Sequence, residues 1–558
     1  MTFYSMKSLI RSLTEESIRS LAGPEISLPE NLNFTVEEPK DPAHGQAAVN
    51  AALILAKLFR QNPLDLAARI ISGLRDPEGY ILSAEAARPG FINFRLSLKW
   101  WHHMLRIILE GGPDFGRIPA GPDPVKVVVE YVSANPTGPL HVGHGRGAAL
   151  GDALARILEF TGRQVTREYY INDAGRQMNI LGGSVLVRLE QLKGEETELP
   201  PDHYRGEYIA ELAQNLLHNP GELPISFWSF SREEKIRWLS RWSGSRILEG
   251  IKKDLDSFRA GIDVWFSEQS LHDQGLVEQT LRTLRQEGHI FDEAGAVWFR
   301  SEPLGDDKNR VLIKSSGDKT YLAADAAYHF DKFIRRRFDL AVDVWGADHH
   351  GYIPRMKAAV RALGVSGDRL KVVLVQLVSL LRGGRPVSMS TRSGEFVTLR
   401  EVIEEVGTDA ARFMFLTRSH ESPLDFDLEV AKAQNRDNPV YYVQYVCARI
   451  FSLQEKAALP PGTPDLTLLA EPEEVDLITH LAAYPEAVQA AANRLEPHVL
   501  TVWLTAAAKL FHQYYSRCRL IDEKNEPLTR ARLTLARAVR QAAGSGLNLL
   551  GVSVPDRM

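Results

Sequence analysis

Cysteine is almost missing from this chain of 558 residues, which has Cys447 and Cys518 and no others. Two cysteines so far apart exclude a disulfide-stapled scaffold and a cysteine-rich zinc site, so no zinc is expected, and they fit a reducing compartment, the cytoplasm. Long apolar runs are missing too. The longest candidate, Val372 to Leu381, falls well short of the ~18–20 residues that cross a bilayer and holds Gln376 and Ser379, so no membrane contact is expected. The opening MTFYSMKSLIRSLTEES lacks the apolar stretch of a signal peptide and carries Glu15 and Glu16, so it reads as a first surface helix. Neither sign of charge dominates. Lys and Arg total 66 against 71 Asp and Glu, a formal net charge of −5, so a nucleic-acid partner would have to meet a local basic face.

What is present is ordinary globular composition, 44% hydrophobic and 25% charged, in a chain long enough for three or more domains. It is organised around Lys126 to Phe160. The β-branched run Val125 to Val132 predicts a strand. Leu150, Leu154, Ile157 and Leu158 have the spacing of one helix face. Between them lies a Pro- and Gly-rich turn holding His141-Val142-Gly143-His144. A strand feeding a helix puts that turn at the carboxyl edge of a sheet, where open α/β sheets bind ligands, and unpaired N–H groups at a helix start suit a phosphate. Gly143 to Ala148 also fits the G-x-G-x-x-A dinucleotide fingerprint, with Glu168 at a fitting distance. That fingerprint needs the strand to run straight into its first glycine, and here Pro136 and Pro139 intervene.

In order, residues 1–115 read as a small α+β module, with helices at Ala47–Arg60 and Leu64–Gly73 and an alternating strand at Phe91–Leu96. A Gly/Pro-crowded linker from Gly111 to Pro124 follows. Residues 116–435 alternate strands (Arg167 onward, Arg337–Trp345, Val372–Leu377) with helices, which predicts a doubly wound parallel sheet of the Rossmann-like type. A less regular, charged stretch at about 190–260 reads as an insertion, its Trp228, Trp238 and Trp242 as packing rather than base stacking. Residues 436–558 turn helical, with helices near 475–492, 497–518 and 528–543. Between Lys509 and Arg540 eight Lys/Arg face three Asp/Glu, either a phosphate-contacting face or an ordinary solvated one.

HVGH after ANPTGPL resembles the HIGH signature of class I aminoacyl-tRNA synthetases. The wider phrase through GRGAALGD resembles arginyl-tRNA synthetases, as do REYYINDAG, VWFSEQSL, the stretch AVWFRSEPLGDDKNRVLIKSSGDKTYLAADAAYH, and HGQAAVNAALILAKL and ARPGFINFRL near the start. A bare H-x-G-H is a weak signal; the strand–turn–helix context strengthens it. The likeness runs from about residue 40 to the final PDRM and is weakest at 190–260. It implies an arginine–tRNA ligase that consumes ATP with Mg²⁺, forms arginyl-adenylate and charges tRNA(Arg), acting as a cytoplasmic monomer. It further implies that residues 1–115 touch the tRNA elbow, that 436–558 form the helical anticodon-binding (DALR-type) domain, and that tRNA must bind before activation proceeds.

The same resemblance assigns the site. His141 and His144, three apart, would face one phosphate group, with Gly143 beside them. Tyr321 and Asp325 would hold the guanidinium of L-arginine, which demands a carboxylate in bidentate geometry, and Glu130, Ser133 and Asn135 the α-amino end. Asp325, with Ala326-Ala327 after it, could otherwise cap a helix. Gly346 and Asp348 fall where the class meets the ATP ribose, with His349 and His350 as flanking groups rather than metal ligands. The second class signature, KMSKS, departs from its pattern. Here it reads Ser388-Met389-Ser390-Thr391-Arg392-Ser393-Gly394, keeping Met389 and Ser390 for ATP and losing both lysines, and Gly138 stands where some such members carry a compensating lysine. Arg392, Arg385 and Lys314 are the replacement candidates, Arg392 foremost. The lost lysines also leave open a catalytically weak tRNA-binding paralogue.

Overall fold

The computed structural model describes residues 5–24, 26–39, 41–387 and 397–558. Its centre is a five-stranded sheet: β1 (Lys126–Glu130), β2 (Gln164–Ile171), β3 (Val264–Ser267), β4 (Leu340–Gly346) and β5 (Leu370–Val375). Every pairing is parallel, in the order β5-β4-β1-β2-β3. Val127, Val128 and Val129 of β1 are fully buried, as a strand covered on both faces requires. The order reverses between β1 and β4, so the crevice beyond their carboxyl ends is the switch point at which such sheets take ligands. The predicted doubly wound architecture is the one observed.

The helix Val142–Phe160 follows β1 and is buried along most of its length. It can lie close to the sheet because of Gly151, where an added Cβ would stand 2.2 Å from the Tyr131 ring. Gly143 to Ala148 lie inside this helix rather than in a phosphate-cradling turn. Glu168 is fully buried, accepting from Tyr328 at 2.6 Å and from Arg336, so it is not placed to read a ribose. Both findings dispose of the dinucleotide reading.

Several local readings change. Ala47–Val49 is a strand, not the start of a helix, and pairs with Phe91–Leu96; the helix runs from Ala51 to Phe59. Residues 190–260 contain two further helices joined by turns. Glu207–His218 and Arg232–Ser257 pack on Arg176–Leu192, and the long helix opens on a capping box between Ser231 and Glu234. Phe227, Trp228 and Trp238 meet edge to face there, so the aromatic cluster is packing. The helix expected at 475–492 is two, Pro472–Ala482 and Tyr484–Arg494. Pro485 sits in the first turn of the second, where proline is tolerated; a continuous helix would have placed it in the interior. The helices His498–Arg517 and Glu526–Leu549 complete the bundle. The linker after Gly111 docks on this bundle: Gln541 donates to the Gly112 carbonyl at 2.9 Å, and Phe115 stacks on Tyr484.

Candidate active site

The turn between β1 and its helix shapes the site. His141 is the N-cap residue. Its Nδ1 accepts the Gly143 N–H at 3.1 Å, and the Nδ1 of His144 accepts the His141 N–H at 3.2 Å. Each imidazole therefore carries its proton on Nε2, a tautomer set by the backbone. The rings stack with centroids 3.7 Å apart. Burial pushes His141 below the usual imidazole range, and burial together with the neighbouring ring takes His144 down to about 3. Both are neutral donors at physiological pH. The first N–H groups of the helix are not left over for an anion, as the bare turn suggested. Val142 donates to the Val397 carbonyl and Gly143 to His141, so the imidazoles take the place of those donors.

His141, Gly143 and His144 line a cavity of about 720 Å³ with Ser133, Asn135, Gly346 and Asp348. A second cavity of about 260 Å³ is lined by Glu130, Asp325, Tyr170, Asp343 and Tyr352. Val132, Ser133, Val344, Trp345, Gly346 and His349 wall both. The two are thus neighbouring compartments of one crevice at the β1/β4 switch point. Val132 and Ser133 have φ of 69° and 41°, a left-handed pair that turns the chain between the compartments.

The smaller compartment is acidic. Asp325 lies inside the helix Tyr321–Phe330, whose N-cap is Thr320, so the capping alternative is excluded. It accepts the Tyr352 hydroxyl at 2.5 Å, and burial raises its carboxyl above the usual range. Glu130 accepts Lys332 at 2.5 Å and the Ser133 hydroxyl at 2.9 Å. Burial works against the Asp343 anion, but Lys332 and His329 on its two oxygens hold it down at about 2. Glu268, missed in the sequence reading, is buried beside this group; burial and the charge of Asp325 push it up to about 7. The signal for it was its place directly after β3, at the sheet edge where charged residues meet ligands. Carboxylates outnumber cations here, since Lys332 is already shared by two of them. Raised carboxyls of this kind mark a place prepared for a further cation.

Among the assigned residues, Asn135 donates to Gln177 at 2.6 Å at the cavity wall. Tyr321 departs from its assignment: it is 65% exposed at the start of its helix and belongs to neither lining. Arg385 and Lys314 also stand away from both linings. Met389, Ser390 and Arg392 lie outside the described residues. Beside the histidines, Leu399 donates to the Leu140 carbonyl at 2.8 Å and Thr398 bridges His141. No group of three or more His, Cys, Asp or Glu among the described residues is arranged to hold a metal ion, and no described helix is long and apolar enough to cross a membrane.

On the helical bundle, Tyr441 and Tyr445 stack at 6.0 Å, Tyr445 and His512 at 6.2 Å, and Arg449 lies over Tyr445 and Tyr515. The expected basic face is smaller than its charge count. Arg532 is buried on Glu474, and Arg517, Arg530 and Arg540 pair with Glu473, Glu526 and Asp556; Lys509, Arg519, Lys524 and Arg537 remain exposed.

Three family profiles match the chain: "Arginyl tRNA synthetase N terminal domain" over residues 8–96, "tRNA synthetases class I (R), catalytic domain" over 116–425, and "DALR anticodon binding domain" over 443–558. The arginine–tRNA ligase of Desulfosudis oleivorans is 50% identical over 534 residues, covering 94% of this chain and 95% of that protein. That of Syntrophotalea carbinolica is 46% identical, covering 100% and 99%. Among solved structures, the arginyl-tRNA synthetase of Thermus thermophilus aligns with a TM-score of 0.76 at 25% identity, covering 99% of this chain and 100% of that one.

Proposed function

The chain belongs to the arginyl-tRNA synthetase family, and we propose that its two adjoining compartments divide that family's reaction, ATP in the larger and L-arginine in the smaller. The overall activity is arginine–tRNA ligation. The observation that carries the division is the shared wall at Ser133 and Gly346, which puts an acid-lined pocket against a histidine-lined one. The arginine carboxylate attacks the α-phosphate, the new O–P bond forms as the bond to pyrophosphate breaks, and charge grows on the phosphate oxygens. His141 and His144 meet that charge as neutral Nε2–H donors held by the backbone, so no proton has to be lost or gained beforehand. Mg²⁺ arriving with ATP as part of that substrate would supply charge neutralisation at the phosphates. A terminal ribose hydroxyl of tRNA(Arg) then takes the arginyl group from the adenylate and AMP leaves.

Asp325 receives the guanidinium, with the buried Glu268 carboxyl near it but outside both linings, and with Glu130, Ser133 and Asn135 toward the α-amino end. Gly346 and Asp348 lie on the ribose side of the ATP compartment. The residues about 1–115 serve as a tRNA-contacting domain, 116–435 as the catalytic domain, and 436–558 as the anticodon-binding domain. Tyr441, Tyr445, His512 and Tyr515 offer stacking faces for unpaired bases, with Arg449 beside them. The protein acts as a cytoplasmic monomer. Charging of tRNA(Arg) with arginine over many turnovers, with lysine run in parallel, tests the reading. Charging by lysine, or single-turnover binding of tRNA without product, would contradict it.

Two effects follow. Arg392, which directly follows the second lost lysine position at Thr391, supplies the cation that the lost lysines would have given the β- and γ-phosphates. Arg392→Ala should lower arginine-dependent ATP–pyrophosphate exchange at least about tenfold, and a change within about twofold sinks the assignment. Second, a bound guanidinium favours ionised Glu268, so arginine binding releases a proton wherever that carboxyl is protonated beforehand. With Glu268 at about 7, the Michaelis constant for arginine should rise as pH falls below neutrality, by up to about tenfold per unit, and Glu268→Gln should flatten that limb. A constant that stays level between about pH 6 and 8 in the parent protein is the contrary outcome.

A further inference from the structure

Lys332 is fully buried, yet no step above uses it. The helix Tyr321–Phe330 widens into a π-helical turn at Asp331–Arg335, a local departure that tends to occur where a side chain has to be aimed. The turn carries the Lys332 ammonium to Glu130 at 2.5 Å and to Asp343 at 2.9 Å, and sets it 4.2 Å from the centre of the Tyr328 ring. A buried ammonium is costly unless its protons are taken up, and here two are taken by carboxylates and the Tyr328 face receives the charge. The contacts continue outward. The other oxygen of Glu130 accepts the Ser133 hydroxyl, and the Ser133 oxygen accepts the Tyr170 N–H at 3.1 Å. Ser133 belongs to the left-handed pair that walls both compartments.

We propose that Lys332 is the positioning residue of the arginine compartment: its ammonium holds Glu130 and Asp343, through Glu130 fixes Ser133, and still leaves the compartment net negative toward a cationic substrate. The proposal rests on the reading of the smaller compartment as the arginine site. Without Lys332 two buried carboxylates lose their shared cation. They would then take up protons or turn toward solvent, and the Ser133 wall would lose its anchor. The other charged and titratable groups around this cluster are Glu168 and its partner Arg336, Asp331, Tyr328, His329, Asp325, Tyr170 and, beyond Asp325, Glu268. None of them bridges Glu130 and Asp343 as Lys332 does.

The test uses the full-length protein with tRNA(Arg). The parent protein is assayed first with arginine and with lysine; failure to charge arginine would overturn the site reading itself, apart from anything said of Lys332. With that established, Lys332→Met should raise the Michaelis constant for arginine at least about tenfold and leave that for ATP within about twofold. The acid limb of kcat/KM for arginine should also move to higher pH, as Glu130 and Asp343 gain protons. An arginine constant within about twofold of the parent's with a superimposable pH profile overturns the proposal, and so does an equal rise in both constants, which marks general loosening. If Lys332→Met does not fold, Asp343→Asn carries the test. It keeps the shape and an acceptor for Lys332 but removes one anion, so the arginine constant should rise at least about threefold with that for ATP unchanged. No change in the arginine constant there also overturns the proposal.

Discussion

His144→Ala should slow arginine activation, read as ATP–pyrophosphate exchange with tRNA present, by ~10²–10³-fold with a small change in the Michaelis constant for arginine. One donor aimed at developing phosphate charge contributes about 3–4 kcal/mol to the transition state in such sites. Part of any loss could come from structure, because the His144 Nδ1 accepts the His141 N–H at the helix start, and a helix cap is worth about 1 kcal/mol. Two further variants separate the contributions. His144→Asn can keep an acceptor near the Nδ1 position but has no distal donor, so it should be nearly as slow as alanine. His144→Gln places an amide N–H near the Nε2 position and should recover part of the rate. With His144 at about 3, it does not titrate between pH 6 and 8, so His144→Gln should leave the shape of the pH–rate profile in that range unchanged. A His144→Ala enzyme within about threefold of the parent would remove the donor role.

Asp325→Asn is the second large effect, and it falls on the other compartment. The amide keeps the shape and can still accept the Tyr352 hydroxyl, so the helix should stay intact. The charge is lost where Glu130 and Asp343 are already committed to Lys332. Leaving a desolvated cation without its partner costs about 3–5 kcal/mol, so kcat/KM for arginine should fall ~10²–10⁴-fold, with the constant for ATP little changed. Discrimination against uncharged analogues such as citrulline should narrow at the same time, because discrimination of this kind depends on buried groups left unpaired by the wrong ligand. A fall below about threefold would mean that Asp325 is a structural acid and that the guanidinium lies elsewhere.

The parts of the fold legible in the sequence were those written locally. β1, the turn and the helix through Phe160 are contiguous, and the valines, prolines and apolar spacing each state one piece of a strand–turn–helix unit. His141 and His144 were legible for that reason. Ala47–Val49 was not, because three small residues become a strand only through pairing with Phe91–Leu96, far along the chain. The helices of 190–260 were hidden by charge: Arg232–Ser257 is a polar helix buried along a narrow stripe, although Ser231 and Glu234 spell its start. Asp325 could be read as a guanidinium partner from its neighbours' wording. Glu268 and Lys332 could not be placed with it, since their meeting depends on β3, β4 and a π-helical turn converging across the sheet edge. The basic count near Lys509–Arg540 left two readings open, because charge in a sequence does not say which arginines are spent on internal partners.

Everything here depends on the two compartments being halves of one adenylate site. The most direct measurement is calorimetric titration of the tRNA-bound protein with a non-hydrolysable arginyl-adenylate analogue, repeated in excess ATP and then in excess arginine. The expected result is one analogue per chain, displaced by either substrate, with affinity lost in both His144→Ala and Asp325→Asn. An analogue that competes with ATP but not with arginine, or that binds Asp325→Asn as tightly as the parent, would show the compartments to be separate sites.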